Sequence, residues 1–300
     1  MPSGYLHQLC AERACGMAGI TPVEGDALCL GAQGPDPLFV LGMFPLRLSS
    51  RPSKVGALIH QHRTGAFLCA LADRAKRGTA VERAFTMGFI THYALDSTVH
   101  PYVYSQSLDR HGRYSSALHM RLEKRWDALY YRRAGHRGTP VVMPGLEESR
   151  PHWETIADLW TGAMEWVFPD YPFERGMVLR AFADAARVNR LTHSPLGGKY
   201  ALVWVLERII GKPCLVTSQM APRFPLHGDI ENTAHHAWLS PYDPERERSE
   251  DLATLFDRGV RRAAELLHAL SAYFDGECSA EALALVTGNA GYDSGMPSKP

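Results

Sequence analysis

The sequence predicts an all-α fold, a compact multi-helix domain. Apolar residues recur at the spacing of a helix face in most segments, and no stretch keeps the alternation typical of a strand. Hydrophobic residues make up 45% of the chain and charged residues 21%, a globular composition that excludes wholesale disorder. We predict one helical domain over residues 1–287 and a disordered tail over residues 288–300, which are rich in Gly, Ser and Pro.

The predicted helices lie at residues 5–18, 53–76, 79–100, 114–134, 152–167, 174–192, 198–211 and 249–274. The third should stop at Pro101, because proline lacks the N–H of the helical hydrogen bond. Residues 31–39 hold two Gly and two Pro and predict a loop or a kinked helix start. The proline-rich stretch 212–248 predicts a long irregular connection. Three tryptophans near helical spacing are expected in the core: Trp153, Trp160 and Trp166.

Charge and cysteine usage narrow the class of partner. The chain holds 32 Lys+Arg and 32 Asp+Glu, so it exerts little bulk attraction on nucleic acid, and no stable nucleic-acid partner is expected. No apolar run approaches the length of a membrane span, so an integral membrane protein is not expected. The first residues lack a signal-peptide pattern, which predicts a cytoplasmic protein. None of the six Cys forms a Cys-x-x-Cys pair, which argues against a thiolate zinc knuckle. The oligomeric state stays open.

A row of metal-binding side chains stands out in the segment HYALDSTVH. Its members His92, Asp96 and His100 are four residues apart, so they share one face of a helix. The next predicted helix repeats the spacing with His119 and Glu123. Further candidates lie upstream at His7, Asp36 and His60. Imidazole and carboxylate ligands without thiolate pairs suit Zn²⁺ in a catalytic site.

A lone His-x-x-x-Asp pair is more often a surface pair or a core contact than a metal site. Two neighbouring helices that each carry such a pair within apolar sequence favour a metal, because buried charge needs a partner. His62 remains an alternative to His60, although it lies on another face of the helix. His235 and His236 are expected at the surface, with the lining of a cleft as the alternative.

The ordered motifs GAQGPD, LIH, GFITHYALDSTVHPY and HMRLE resemble the zinc-dependent phospholipase C family. Its relatives include bacterial phosphatidylcholine-hydrolysing phospholipases C and single-strand-specific nucleases of the S1/P1 type. The resemblance covers roughly residues 1–130 and continues weakly through NTAHHAWLSP (232–241) and the last long helix. It implies a compact all-helical domain with two or three zinc ions in a cleft.

The resemblance also implies how the ligands divide. One zinc would be held by four residues: Asp36, His60, His92 and Asp96. Asp96 would bridge to a second zinc, bound by His7 and the N-terminal residue. The remaining ion would be held by His100, His119 and Glu123. Processed relatives begin with a Trp, whereas this chain starts Met1-Pro2. Either the amine of Pro2 serves after removal of Met1, or that site is weak or empty.

The implied activity is hydrolysis of phosphodiester bonds, in which metal-activated water attacks phosphorus. Asp36, in a Gly/Pro loop, is the candidate general base. The substrate would be a phosphoester, with a phospholipid headgroup among the candidates. Two alternatives stay open: a single-strand nuclease of the S1/P1 type and a non-catalytic helical scaffold that binds metal.

Overall fold

The computed structural model of the chain describes residues 4–43, 51–223 and 228–300. Among these residues, α-helices dominate: α1 (Gly4–Ala18), α2 (Gly25–Gly31), α3 (Arg51–Gln61), α4 (Thr64–Lys76), α5 (Ala80–Gln106), α6 (Ser116–Arg133), α7 (Trp153–Val167), α8 (Arg175–Thr192), α9 (Gly198–Ile209), α10 (Leu252–Asp275) and α11 (Ala280–Thr287). Short 3-10 helices lie at Asp36–Val40, Arg150–His152 and Thr217–Gln219. The all-α prediction is confirmed.

The stretch 212–248, predicted to be an irregular connection, contains a β-hairpin. Strands β1 (Trp238–Ser240) and β2 (Asp243–Arg248) pair antiparallel, with Trp238 opposite Arg248. Trp238 is buried against Tyr102, with ring centroids 5.2 Å apart, which anchors the hairpin to α5. Strand β2 was not predicted, because its side chains are mostly charged and do not alternate between polar and apolar.

Helix α5 is the central element of the fold and packs along α10 and α2. It begins with a capping box, in which the Thr79 hydroxyl and the Glu82 carboxylate each accept a backbone hydrogen bond. Glycines permit the close approach of α2. A Cβ added at Gly31 would lie 2.1 Å from the Phe85 carbonyl oxygen, and one at Gly88 would lie 2.1 Å from that of Leu28. This contact brings the C-terminal end of α2 against the first third of α5.

Helix α5 does not stop at Pro101 but continues to Gln106, so the predicted end was wrong. Proline removes the hydrogen bond that the Ser97 carbonyl would otherwise accept. Gly295, in the C-terminal segment, packs directly against that carbonyl; a Cβ added at Gly295 would lie 2.5 Å from its oxygen. Burial of Tyr102 and Val103 holds the last turn in place despite the lost bond.

The predicted helix over residues 53–76 is interrupted. Helix α3 ends at Gln61 and α4 begins at Thr64, with Arg63 between them in the left-handed region at φ 48°. At this break between α3 and α4, backbone groups form hydrogen bonds with the C-terminal segment. Lys299 donates its N–H to the Gln61 carbonyl and accepts from Arg63 N.

Residues 288–300 pack onto the helices, which contradicts the predicted disordered tail. Tyr292 is fully buried, and its N–H donates to the His60 carbonyl at 3.0 Å. The N–H of Ala290 donates to the Tyr93 hydroxyl at 2.9 Å. The Gly- and Pro-rich composition here belongs to an irregular segment that hydrogen bonds hold in place. Its single aromatic side chain, that of Tyr292, is the apolar anchor.

The core contains Trp160 at the centre of a group of rings that includes Phe85, Phe89 and Phe182. Trp153 is buried, as predicted, but Trp166 is 81% exposed, so its predicted place in the core was wrong. Within the described ranges, no helix is long and apolar enough to cross a membrane.

Candidate metal centre

The structure brings together all eight residues that the sequence singled out. They come from four helices and one 3-10 helix, and each is at most 5% exposed. They are His7 on α1, Asp36 on the 3-10 helix, His60 on α3, His92, Asp96 and His100 on α5, and His119 and Glu123 on α6. Residues up to 116 positions apart in the chain therefore share one buried site, which we call the His/carboxylate cluster.

Asp96 lies at the centre of the His/carboxylate cluster. Its Oδ1 is 3.1 Å from Nε2 of His7 and 3.4 Å from Nε2 of His100. Its Oδ2 is 3.0 Å from Nε2 of His92 and 3.9 Å from Nε2 of His60. One carboxylate thus faces four imidazoles, an arrangement in which it can serve more than one cation.

The other two carboxylates each face a pair of imidazoles. Asp36 Oδ1 lies 3.6 Å from His60 Nε2 and 3.9 Å from His92 Nε2. Glu123 Oε1 lies 3.2 Å from His119 Nε2 and 3.3 Å from His100 Nε2. Three groups have ligand atoms within 4.8 Å of one another: His7–His92–Asp96, Asp36–His60–His92 and His100–His119–Glu123.

Backbone carbonyls orient three of the imidazoles. Nδ1 of His60 bonds to the Gly56 carbonyl at 2.7 Å, Nδ1 of His92 to that of Ala32 at 3.0 Å, and Nδ1 of His100 to that of Tyr292 at 3.2 Å. A carbonyl oxygen only accepts, so each Nδ1 carries the proton. In the neutral ring, Nε2 then presents a lone pair to the centre of the cluster, as metal-binding histidines do.

This orientation creates a need for a cation. In each neutral ring, a lone pair on Nε2 faces carboxylate oxygens, and two acceptors repel unless a proton or a metal ion lies between them. Several inward atoms are buried without a hydrogen-bond partner among the described residues: His92 Nε2, Asp36 Oδ1, Asp96 Oδ2 and Glu123 Oε2. Native structures rarely leave such groups unpaired. The nitrogen and oxygen donor set fits Zn²⁺.

The electrostatics of the cluster residues support the same conclusion. Burial lowers the pKa of His7 and of His60 to about 4, so both rings are neutral near pH 7 and available as ligands. Burial, together with the Asp96 carboxylate, raises the pKa of Asp36 to about 7. Burial also disfavours the charged form of His100, but Asp96 and Glu123 outweigh it and raise the pKa of His100 to about 10.

We expect zinc binding to the metal-free protein to release protons. His100 is protonated at neutral pH, and zinc requires the neutral ring, so uptake at pH 7 should release about one proton per chain or more. For the same reason, zinc affinity should rise as the pH is raised from 6 toward 8. Titration calorimetry in two buffers of different ionisation enthalpy measures the release. Zinc uptake without proton release would contradict the protonation of His100.

Two residues beside the cluster, Tyr292 and Asp293, were not predicted from the sequence. The Tyr292 ring lies 4.8 Å from that of His60 and 5.7 Å from that of His92, measured between centroids. Asp293 Oδ1 lies 3.8 Å from His100 Nδ1, and its Oδ2 accepts from Gln61 Nε2 at 3.1 Å. The single aromatic residue in the segment 288–300 was the one sequence feature that indicated packing of this segment against the helices.

Tyr292→Ala is expected to destabilise the protein by about 3–5 kcal/mol, the usual cost of deleting a large buried ring. Its matched control is Tyr292→Phe, because the Tyr292 hydroxyl has no partner among the described residues and its loss should cost little. Denaturant unfolding of the protein as purified measures both. Equal stability of the alanine variant and the parent would show that the C-terminal segment does not pack against the cluster.

The remaining candidates lie apart from the cluster. His62 bonds through Nδ1 to the Pro300 carbonyl at 3.0 Å and joins none of the three groups. His235 and His236 are exposed, as expected. The predicted amine ligand of Pro2 lies outside the described residues.

Comparison with known proteins bears on the same part of the chain. A family model described as zinc dependent phospholipase C matches residues 7–163, more than half of the 300 residues. All eight members of the His/carboxylate cluster fall inside the matched range. No curated protein and no solved structure matches the chain.

Proposed function

The chain belongs to the zinc-dependent phospholipase C family, and from this we propose that it hydrolyses phosphodiester bonds at a zinc-loaded His/carboxylate cluster. One observation carries the proposal. Four inward atoms of the cluster are buried and lack hydrogen-bond partners among the described residues, in a chain whose family is zinc dependent: His92 Nε2, Asp36 Oδ1, Asp96 Oδ2 and Glu123 Oε2. The geometry suits a site built to hold cations rather than a packed polar core.

We assign the zinc ligands by the three groups that the geometry defines. Asp36, His60 and His92 would hold one ion, and Asp96 would link it to a second ion beside His7. A third would lie among His100, His119 and Glu123. Bound zinc supplies Lewis-acid activation of water and of a phosphoryl oxygen. We therefore propose two or three ions for the cluster, the number that the family resemblance implies.

Asp36 is the residue we assign to proton transfer. It enters the cluster from a 3-10 helix rather than from a long helix, and its Oδ1 lacks a hydrogen-bond partner among the described residues. A raised pKa lets the Asp36 carboxylate take up a proton near neutral pH, which is the requirement for a general base. The carboxylate would accept a proton from water and hold it at this oxygen.

A single-strand nuclease is the second candidate, because aromatic rings adjoin the cluster. Tyr104 stacks on Tyr114 with centroids 4.9 Å apart and meets Tyr242 edge-on at 5.3 Å. Tyr114 and Tyr242 are 48% and 40% exposed, and the Tyr114 hydroxyl lies 3.2 Å from His119 Nδ1. Exposed rings beside the reacting centre are the stacking platforms that unpaired bases use. The balanced overall charge favours the smaller diester instead.

A small substrate panel tests the proposal. Zinc-loaded protein is incubated with a chromogenic phosphocholine ester and with single-stranded DNA, before and after treatment with a chelator. We expect hydrolysis of the phosphocholine ester that stops on chelation and returns with zinc. Cleavage of DNA alone would establish the nuclease. Zinc-loaded protein that cleaves neither would leave a metal-binding scaffold and contradict the proposed activity.

A further inference from the structure

Helix α9 turns an apolar stripe toward solvent. Four of its side chains recur at the spacing of one helix face, and each is between 46% and 75% exposed: Leu202, Val205, Leu206 and Ile209. Leu215 and Val216, just beyond the helix, are exposed as well. A folded protein rarely leaves a continuous apolar surface uncovered, so this stripe indicates a binding surface. No role in the proposed hydrolysis accounts for it.

The opposite face of α9 attaches the helix to the rest of the protein. Tyr200 and Val203 on this face are half-buried, and Glu207 is buried. The Glu207 carboxylate accepts hydrogen bonds from the N–H groups of Cys214 and Thr217, at 3.0 and 2.8 Å, and from the Thr217 hydroxyl at 2.6 Å. Because these contacts fix the orientation of α9, its apolar stripe is held outward by the fold.

The exposed charges of this segment are basic. Residues 195–223 contain one acidic residue, Glu207, whose carboxylate is buried. The same residues contain four exposed cations: Lys199, Arg208, Lys212 and Arg223. Arg121 of α6 is also exposed, and its Nη1 lies 3.7 Å from Cys214 Sγ. The segment that carries the stripe is therefore positive, although the whole chain holds equal numbers of basic and acidic residues.

The support of α9 lies on a helix that supplies two residues of the cluster. The 3-10 helix Thr217–Gln219, to which Glu207 bonds, packs against α6. Within it, Gln219 Nε2 lies 2.7 Å from the sulfur of Met120, the residue that follows His119. The apolar stripe is thus linked through one short segment to the turn of α6 that carries His119.

We propose that α9 docks the protein onto an anionic lipid bilayer, with the apolar stripe toward the acyl chains. Lys and Arg around an apolar stripe, with the partly exposed Trp204 beside it, are typical of helices that lie in a membrane interface. The basic residues attract anionic headgroups. A second copy of the chain would present the same positive charge, which opposes self-association through this face. The 12 residues of α9 rise only about 18 Å, too short to span a bilayer, so the helix lies on the membrane.

Sedimentation of the zinc-loaded protein with sucrose-loaded vesicles tests the proposal. The vesicles contain three parts phosphatidylcholine to one part phosphatidylserine, and bound protein is normalised to the lipid phosphorus in the pellet. We expect binding that weakens with added salt and on vesicles of phosphatidylcholine alone. Ile209→Gln and Leu202→Gln should each weaken binding about tenfold, because less apolar surface enters the bilayer. Lys212→Gln should weaken it about fivefold.

The matched control is Leu285→Gln. It removes an exposed leucine from α11 and should leave binding unchanged. Sedimentation measures membrane binding and does not depend on hydrolysis, so this proposal and the proposed activity can fail separately. The soluble phosphocholine ester reports on the cluster alone, and Ile209→Gln should process it at the parental rate.

Three results would overturn the proposal. One is the absence of binding to the anionic vesicles. Another is an equal loss of binding in Leu285→Gln and in the two α9 variants, because the interaction would then reflect apolar surface in general. The third comes from light scattering in solution without lipid. A dimer that Ile209→Gln dissociates would assign the apolar stripe to a second copy of the chain.

Discussion

Asp96→Asn is expected to lose more than one equivalent of zinc and, with it, the hydrolytic activity. Asp96 faces the Nε2 atoms of His7, His92 and His100 at 3.1, 3.0 and 3.4 Å, so its two oxygens serve more than one of the metal groups. Asparagine keeps the shape but replaces one oxygen with a donor and removes the charge. The remaining imidazoles would then bind cations without the carboxylate that neutralises them.

Elemental analysis of the purified variant, normalised to protein concentration, measures the loss. Asp275→Asn is the matched control, because it removes an exposed carboxylate at the end of α10 and should leave the zinc content unchanged. A parental zinc content in Asp96→Asn would remove its bridging role. Circular dichroism of both variants establishes that the helices remain folded.

Asp36→Asn is expected to separate catalysis from metal binding. We expect most of the zinc to remain, because five imidazoles and two carboxylates of the cluster are unchanged, while activity falls by about 10²–10⁴-fold, the range for loss of a general base. Asparagine cannot take up the proton that the raised pKa of Asp36 allows its carboxylate to hold near neutral pH. The zinc content and kcat are measured on the same preparation.

Asp170→Asn is the control for this substitution, since Asp170 is exposed and lies outside the cluster. Full turnover by Asp36→Asn on the substrate that the parent cleaves would exclude the role in proton transfer. Loss of zinc in parallel with activity would instead make Asp36 a ligand without a separable catalytic function.

The cluster was predictable where its geometry is local. His92, Asp96 and His100 share a face because of the helical period alone, and the same holds for His119 and Glu123. The resemblance to a family then joined these rows to His7, Asp36 and His60, which no local rule connects. The sequence could not show that carbonyl oxygens orient the rings, because the Ala32 carbonyl reaches His92 through the close approach of two helices.

The errors share a physical cause, which is packing between distant parts of the chain. Helix α5 passes through Pro101 because neighbouring side chains bury the turn that follows, and Arg63 adopts a left-handed conformation where the C-terminal segment bonds to the backbone. The segment 288–300 looks disordered by composition, yet Tyr292 fills a space that α3 and α5 form. Local propensity does not contain these contacts.

The central claim is that the His/carboxylate cluster binds zinc and that this zinc is needed for hydrolysis. Its most direct test measures the zinc content of the protein together with its hydrolytic activity. We expect two or three equivalents of zinc per chain, because three groups of ligand atoms lie in the cluster. Dialysis against a chelator should remove the zinc together with the hydrolysis of the phosphocholine ester, and added zinc should restore both. A purified, folded protein that takes up no zinc, or one that hydrolyses the ester equally well without it, would contradict the account.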